Sequence, residues 1–166
     1  MASSIFDRSI NPKVFTDWRH CLAFGLGSGL ARKAPGTWGT LAAVPFCCVL
    51  WWVFPAWLFA ALLLVMSVLG VWLCSVVAQD LGVHDHGGIV WDEWVGYGIA
   101  LFALPLQWYW PVLAFVVFRV LDIWKPWPIA WCDKNIHGGL GVMVDDVLAG
   151  MLSCLCLHGF SLVLVP

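Results

Sequence analysis

Polar and apolar positions in this chain are segregated into long blocks rather than alternating within short elements. Ala34 to Gln79 runs for 46 residues without Asp, Glu, Lys or Arg, Trp94 to Phe118 for 25, and Val147 to Pro166 for 20. A bilayer core about 30 Å thick takes roughly 20 apolar residues at a rise of about 1.5 Å each. Ala56 to Ala78 and Val147 to Val165 meet that requirement by length alone. The 46-residue run is too long for one crossing, and Phe54-Pro55-Ala56 falls where a turn is needed, so it predicts a hairpin of two helices. The second run breaks at Pro105 and Pro111, the ends of PLQWYWP. Up to five membrane segments follow, about 38–53, 56–78, 92–108, 111–125 and 146–165, with the first, third and fourth short or polar enough to enter only partway. The expected fold is an all-α polytopic membrane bundle of about three to five spans, a single domain over residues 1–166.

Charge then orients the scheme. Every Asp, Glu, Lys and Arg lies in 1–33, 80–93 or 119–146, and in the five-segment arrangement all three blocks share one face. The eight Lys and Arg make that face cytoplasmic by the tendency of basic residues to stay inside. At 62% hydrophobic and 11% charged residues, with a mean hydropathy of +0.90, the chain lies outside soluble composition. The lipid bilayer is therefore its expected surroundings; the net charge of −2 says nothing further about partners, and the absence of a basic stripe argues against nucleic acid.

The N-terminal region adds an interfacial element. Phe15, Trp18 and Leu22 are spaced to share one helical face, as expected of a helix lying in the membrane interface. The glycine-rich stretch Cys21 to Leu30 has no convincing cleavage pattern and reads as retained. Seven cysteines without a CxxC pair read as packing residues, and the thirteen tryptophans near proposed segment ends as an aromatic belt.

Candidate chemistry collects in four polar segments on the charged face. In Lys33-Ala-Pro-Gly-Thr-Trp-Gly-Thr40, backbone N–H groups with Lys33, Thr37 and Thr40 could cradle phosphate at a helix start; a plain N-cap by either threonine fits the spacing equally well. HDHGGIVWDE brings His84, His86, Asp92 and Glu93 to the start of an uncharged helix, where adjacent acids are costly unless paired, hydrated or metal-bound. In RVLDIWKPWP, Arg119, Asp122 and Lys125 follow at i,i+3 steps, either neutralising one another or holding phosphate between Arg119 and Lys125 while Asp122 binds metal. HGGLGVMVDDVLAG places Asp145 and Asp146 at the mouth of the last segment. Gly96 follows Asp92 by four residues and Gly150 follows Asp146 by four, so two helices can approach closely beneath the acids.

Asp92, Glu93, Asp122, Asp145 and Asp146 cannot all remain ionised and unpaired at a membrane boundary. A hard divalent cation resolves the conflict, and oxygen ligands favour Mg²⁺, which commonly bridges to substrate phosphate. The sequence physics thus points to a metal-assisted phosphoryl site facing lipid headgroups.

These residues resemble the phosphatidylglycerophosphatase A family, bacterial inner-membrane enzymes that convert phosphatidylglycerophosphate to phosphatidylglycerol and phosphate. The likeness runs from about Ala23 to Gly150 through GLGSGL, APGTWGT, GVHDHGGIVWDEWVG, FRVLDIWKPWPI and NIHGGLGVMVDDVLAG. It implies a helical Mg²⁺-dependent membrane phosphatase acting in phospholipid biosynthesis. The family's acidic motifs fall on Asp92, Glu93, Asp122, Asp145 and Asp146, and its basic and hydroxyl positions on Arg119, Lys125, Thr37 and Thr40.

No cysteine has an arginine six positions later and no DxDx(T/V) motif occurs, which disfavours thiol and phosphoaspartate nucleophiles. The expected route is in-line attack by metal-activated water, with Arg119 or Lys125 countering developing charge and His84, His86 or His137 protonating the leaving glycerol oxygen. The alternative is a small transporter or ion-conducting module, whose polar site would sit near the bilayer midplane rather than at segment ends on one side.

Overall fold

The computed structural model describes residues 10–82 and 86–164, and no strand occurs among them. Two short helices, α1 (Ile10–Thr16) and α2 (Trp18–Ala23), lead into a 3-10 stretch, Gly25–Leu30. Six helices follow: α3 (Pro35–Val53), α4 (Ala56–Leu81), α5 (Trp91–Ala100), α6 (Trp110–Trp124), α7 (Ile129–Asn135) and α8 (Gly138–Leu164). Local chemistry sets these limits. Pro35 opens α3, where its fixed φ suits a first turn, and Pro55 both ends the hairpin turn and starts α4. Gly82 closes α4 in the left-handed region, its N–H returning to the Ala78 and Gln79 carbonyls.

Three helices, α3, α4 and α8, are long and apolar enough to cross a membrane. By contrast α5 has 10 residues and α6 has 15, about 15 Å and about 22 Å of helix against a core of about 30 Å. The third and fourth expected segments therefore pair as short helices that each fall short of a full crossing and reverse direction through the turn at 101–109, inside the bundle. Irregular backbone at that depth is tolerated because protein covers it. Leu101 and Leu104 are buried, the Trp51 indole donates to the Leu104 carbonyl at 3.2 Å, and the Gln107 side-chain oxygen accepts from Trp110 Nε1 at 2.6 Å.

Helix α5 lies at the centre of the bundle, against α3, α4, α6 and α8, with Trp91, Trp94, Val95, Tyr97 and Ala100 buried. Because α5 is covered by protein over most of its surface, with only Asp92 and Ile99 partly exposed, it need not span. The expected start of the last segment, near 146, moves to Gly138, so Asp145 and Asp146 sit two turns inside α8 rather than at its mouth.

The expected interfacial helix is also reshaped. Asp17 interrupts it and caps α2 by accepting from the Arg19 N–H at 2.9 Å. Phe15 and Trp18 remain exposed, with Trp18 stacked on Trp72, while Leu22 turns inward against the core. Arg19 then joins Asp17 at 2.6 Å to Asp80 at 3.3 Å, fastening this region to the end of α4.

Candidate active site

Four helices bring the site together at one end of the bundle. Asp92 and Glu93 stand in the first turn of α5, Arg119 and Asp122 near the end of α6, Asp145 and Asp146 in α8, and Thr37 and Thr40 in α3. Glycine determines how closely the two most acidic helices approach. A Cβ on Gly96 would come within 2.7 Å of the Asp146 carbonyl, and one on Gly150 would strike the Gly96 carbonyl. The four-residue spacing of acid and glycine predicted this contact. Gly36 acts similarly on α3, since a Cβ there would occupy the position of Glu93 Oε1.

Asp92, Glu93 and Asp146 each offer a carboxylate oxygen, and these oxygens lie within 4.8 Å of one another. Glu93 and Asp146 are buried, and Glu93 Oε2 has no hydrogen-bond partner. Asp122 adjoins Asp146 and pairs with Arg119 at 2.6 Å, and Arg119 also reaches Glu93 at 3.8 Å. One guanidinium, in contact with Glu93 and Asp122, thus accompanies a group of four carboxylates, an imbalance that is expensive away from water. An orphaned carboxylate oxygen in an all-oxygen cluster short of positive charge fits a hard divalent cation held by Asp92, Glu93 and Asp146.

The threonines aim the guanidinium. Arg119 donates to Thr40 Oγ1 at 3.5 Å and to Thr37 Oγ1 at 3.4 Å, and the Thr40 hydroxyl donates to the Gly36 carbonyl at 2.8 Å. The N-cap of α3 is Ala34, in the left-handed region and without a side-chain bond, so neither threonine is the cap that spacing alone allowed.

Lys125 leaves the helical face it was expected to share with Arg119. Helix α6 ends at Trp124, and Lys125, at φ 46°, swings to Asp133 at 2.6 Å and Asp145 at 2.7 Å. Burial by itself would lower the Lys125 ammonium, but its hydrogen bonds to these carboxylates outweigh burial and hold its pKa above the ordinary lysine value. Asp145 accordingly serves an ion pair joining α6, α7 and α8, while Asp146 faces the acid cluster. Asp133 was missed by the sequence reading; a charged residue in the short segment after KPWP was its only signal.

A polar cavity of about 100 Å³ adjoins the cluster, lined by Asp92, Asp133, His137 and Asp145. His86 stays in the loop before α5, its Nδ1 accepting from the Gly88 N–H at 3.1 Å. His84 lies outside the described residues. Lys33 is exposed ahead of α3 and takes no part in the ion pairs or hydrogen bonds described for the cluster.

A helical membrane-type bundle that gathers carboxylates around an arginine, with hydroxyls to fix it, defines a protein built to handle a charged group at a membrane surface. The chain belongs to the phosphatidylglycerophosphatase A family, whose model matches residues 21–161. A phosphatidylglycerophosphatase A of Escherichia coli is 50% identical, covering 85% of this chain and 81% of the relative. One of Haemophilus influenzae is 47% identical over 80% and 82%. A Bacteroides thetaiotaomicron protein named a putative phosphatidylinositol-3-phosphatase is 40% identical over 78% and 84%. No solved structure matches the chain. The protein is a membrane-associated phosphatase acting on a phospholipid.

Proposed function

We propose that this protein hydrolyses the terminal phosphate monoester of phosphatidylglycerophosphate, yielding phosphatidylglycerol and phosphate in phospholipid biosynthesis, with Mg²⁺ as its cofactor. The observation that carries this reading is the convergence of Asp92, Glu93 and Asp146, with Glu93 Oε2 unpartnered, beside an arginine held by two threonines. The family membership supplies the substrate class.

Asp92, Glu93 and Asp146 would hold the cation, with Asp122 close behind. When bound, the cation supplies charge neutralisation at phosphate oxygens and activation of water. Arg119 binds the phosphate and opposes the negative charge that builds during transfer, while Thr37 and Thr40 keep its planar fork oriented. Lys125, committed to Asp133 and Asp145, positions α8. His137 lines the cavity that shares Asp92, and so is placed to pass a proton to the leaving glycerol oxygen. A site at the ends of α5 and α6 favours surface chemistry over a transport path, which would cross near the bilayer midplane.

The one-sided placement of Lys and Arg supports an inner-membrane location with the site facing the cytoplasm. The direct test is phosphate release by the purified protein from phosphatidylglycerophosphate, with Mg²⁺ and with excess chelator, alongside phosphatidylinositol 3-phosphate. Mg²⁺-dependent release from the first lipid is expected. Full activity in chelator removes the cation from the scheme, and preferential release from the second lipid reassigns the substrate.

A further inference from the structure

Between α4, α5 and α8 lies an apolar groove of about 440 Å³, walled by Leu63, Ser67, Ile99, Phe102, Val147 and Met151. Its few polar groups are already satisfied: the Ser67 hydroxyl donates to the Leu63 carbonyl at 2.7 Å, and the Cys154 thiol to the Phe102 carbonyl at 3.6 Å. With no polar group left to orient a hydrophilic ligand, the groove suits hydrocarbon.

Its upper end lies within one to two helical turns of the acid-bearing positions, on elements that carry or adjoin them. On α8, Val147 directly follows Asp146. On α5, Ile99 lies seven residues beyond Asp92, two turns along the same stripe. On α4, Ser67 follows Met66, whose carbonyl accepts from the indole of Trp91, the residue before Asp92. Gly70 packs on Met143 and Gly139 on Ser75, so α4 and α8 run antiparallel in a register that sets Ser67 level with Val147 and Ala60 level with Cys154. From Val147 to Leu155 the groove descends about 12 Å, within the half-thickness of about 15 Å that one leaflet's hydrocarbon occupies.

We propose that this groove seats one acyl chain of the phospholipid substrate and so makes the enzyme selective for long-chain lipids. The inference rests on the lipid-phosphatase reading above. A lipid whose headgroup is held at the acids has its chains tethered within about 10 Å of the groove's upper residues, so filling it is an intramolecular step favoured over capture of a bulk lipid.

The test compares phosphate release from dipalmitoyl- and dihexanoyl-phosphatidylglycerophosphate by the full chain in detergent. Wild type is compared with Ala60→Phe, which shortens the groove from its far end, and Leu64→Trp, which fills its rim. Leu64 is 67% exposed, so the second variant does not enter the core. Both variants should raise KM for the dipalmitoyl lipid about tenfold, as expected when about two methylenes lose their seat, with kcat unchanged. Their constants for the dihexanoyl lipid should stay at the wild-type values. Parallel effects on the two lipids, or none on either, overturn the groove assignment and leave the phosphatase reading standing. Wild-type protein that releases phosphate from neither lipid overturns the phosphatase reading and the groove with it.

Discussion

Replacing Arg119 separates what holds the site together from what does its chemistry. Its guanidinium, 13% exposed, lies 2.6 Å from Asp122 and 3.8 Å from Glu93. At an effective dielectric of about 20 these separations correspond to gross attractions of about 6 and about 4 kcal/mol, most of which only offsets the desolvation of the partners. Removing one partner of such a buried set leaves the others uncompensated, so Arg119→Ala should cost about 3–5 kcal/mol of stability. A bound cation supplies some of the missing charge, so that loss should shrink as Mg²⁺ is raised. Arg119→Lys keeps the charge but not the two-pronged contact with Thr37 and Thr40. It should stay within about 1.5 kcal/mol of wild type in stability yet lose about 10²-fold in turnover, or about 3 kcal/mol of transition-state stabilisation. Thermal unfolding in detergent, with and without chelator, reads the first quantity, and phosphate release per folded molecule the second. Full turnover by Arg119→Lys would refute the claim that the threonine-held fork acts on phosphate, and wild-type stability of Arg119→Ala would refute the electrostatic account.

Asp92→Asn, Glu93→Gln, Asp122→Asn and Asp146→Asn should each lower turnover about 10²-fold or more in folded protein, whereas Cys→Ser at 47, 48, 154 or 156 should leave it near normal; kinetics on matched folded amounts decides. Gly96→Ala and Gly150→Ala force a methyl against backbone and should each destabilise by about 1–3 kcal/mol or prevent folding, as read by thermal unfolding. Because the folded value of Lys125 is raised, its ion pairs contribute fully below the ordinary lysine value of 10.5 and are lost as pH rises from there through the folded value. Lys125→Met should therefore lower stability at neutral pH and flatten its alkaline decline, and an unchanged alkaline profile would count against the clamp between Asp133 and Asp145.

Block segregation of charge by itself determined the membrane class, the helical fold and the end of the bundle where the chemistry gathers. Those features follow from length and hydropathy, which act locally: the bilayer's thickness sets what spans, and uncharged runs are read directly. The glycines spaced four residues after Asp92 and Asp146 also announced the α5–α8 approach, because helical periodicity fixes which residue lies one turn below an acid. Only the tertiary structure decided how five carboxylates divide. Asp92, Glu93 and Asp146 cluster, Asp122 pairs with Arg119, and Asp145 turns to Lys125, since neighbouring side chains on α8 point about 100° apart and each meets a different helix. It also made α5 short and central. A 10-residue helix surrounded by four others need not cross the bilayer, because other helices, not lipid, satisfy its apolar faces, and no local pattern in the sequence carries that information.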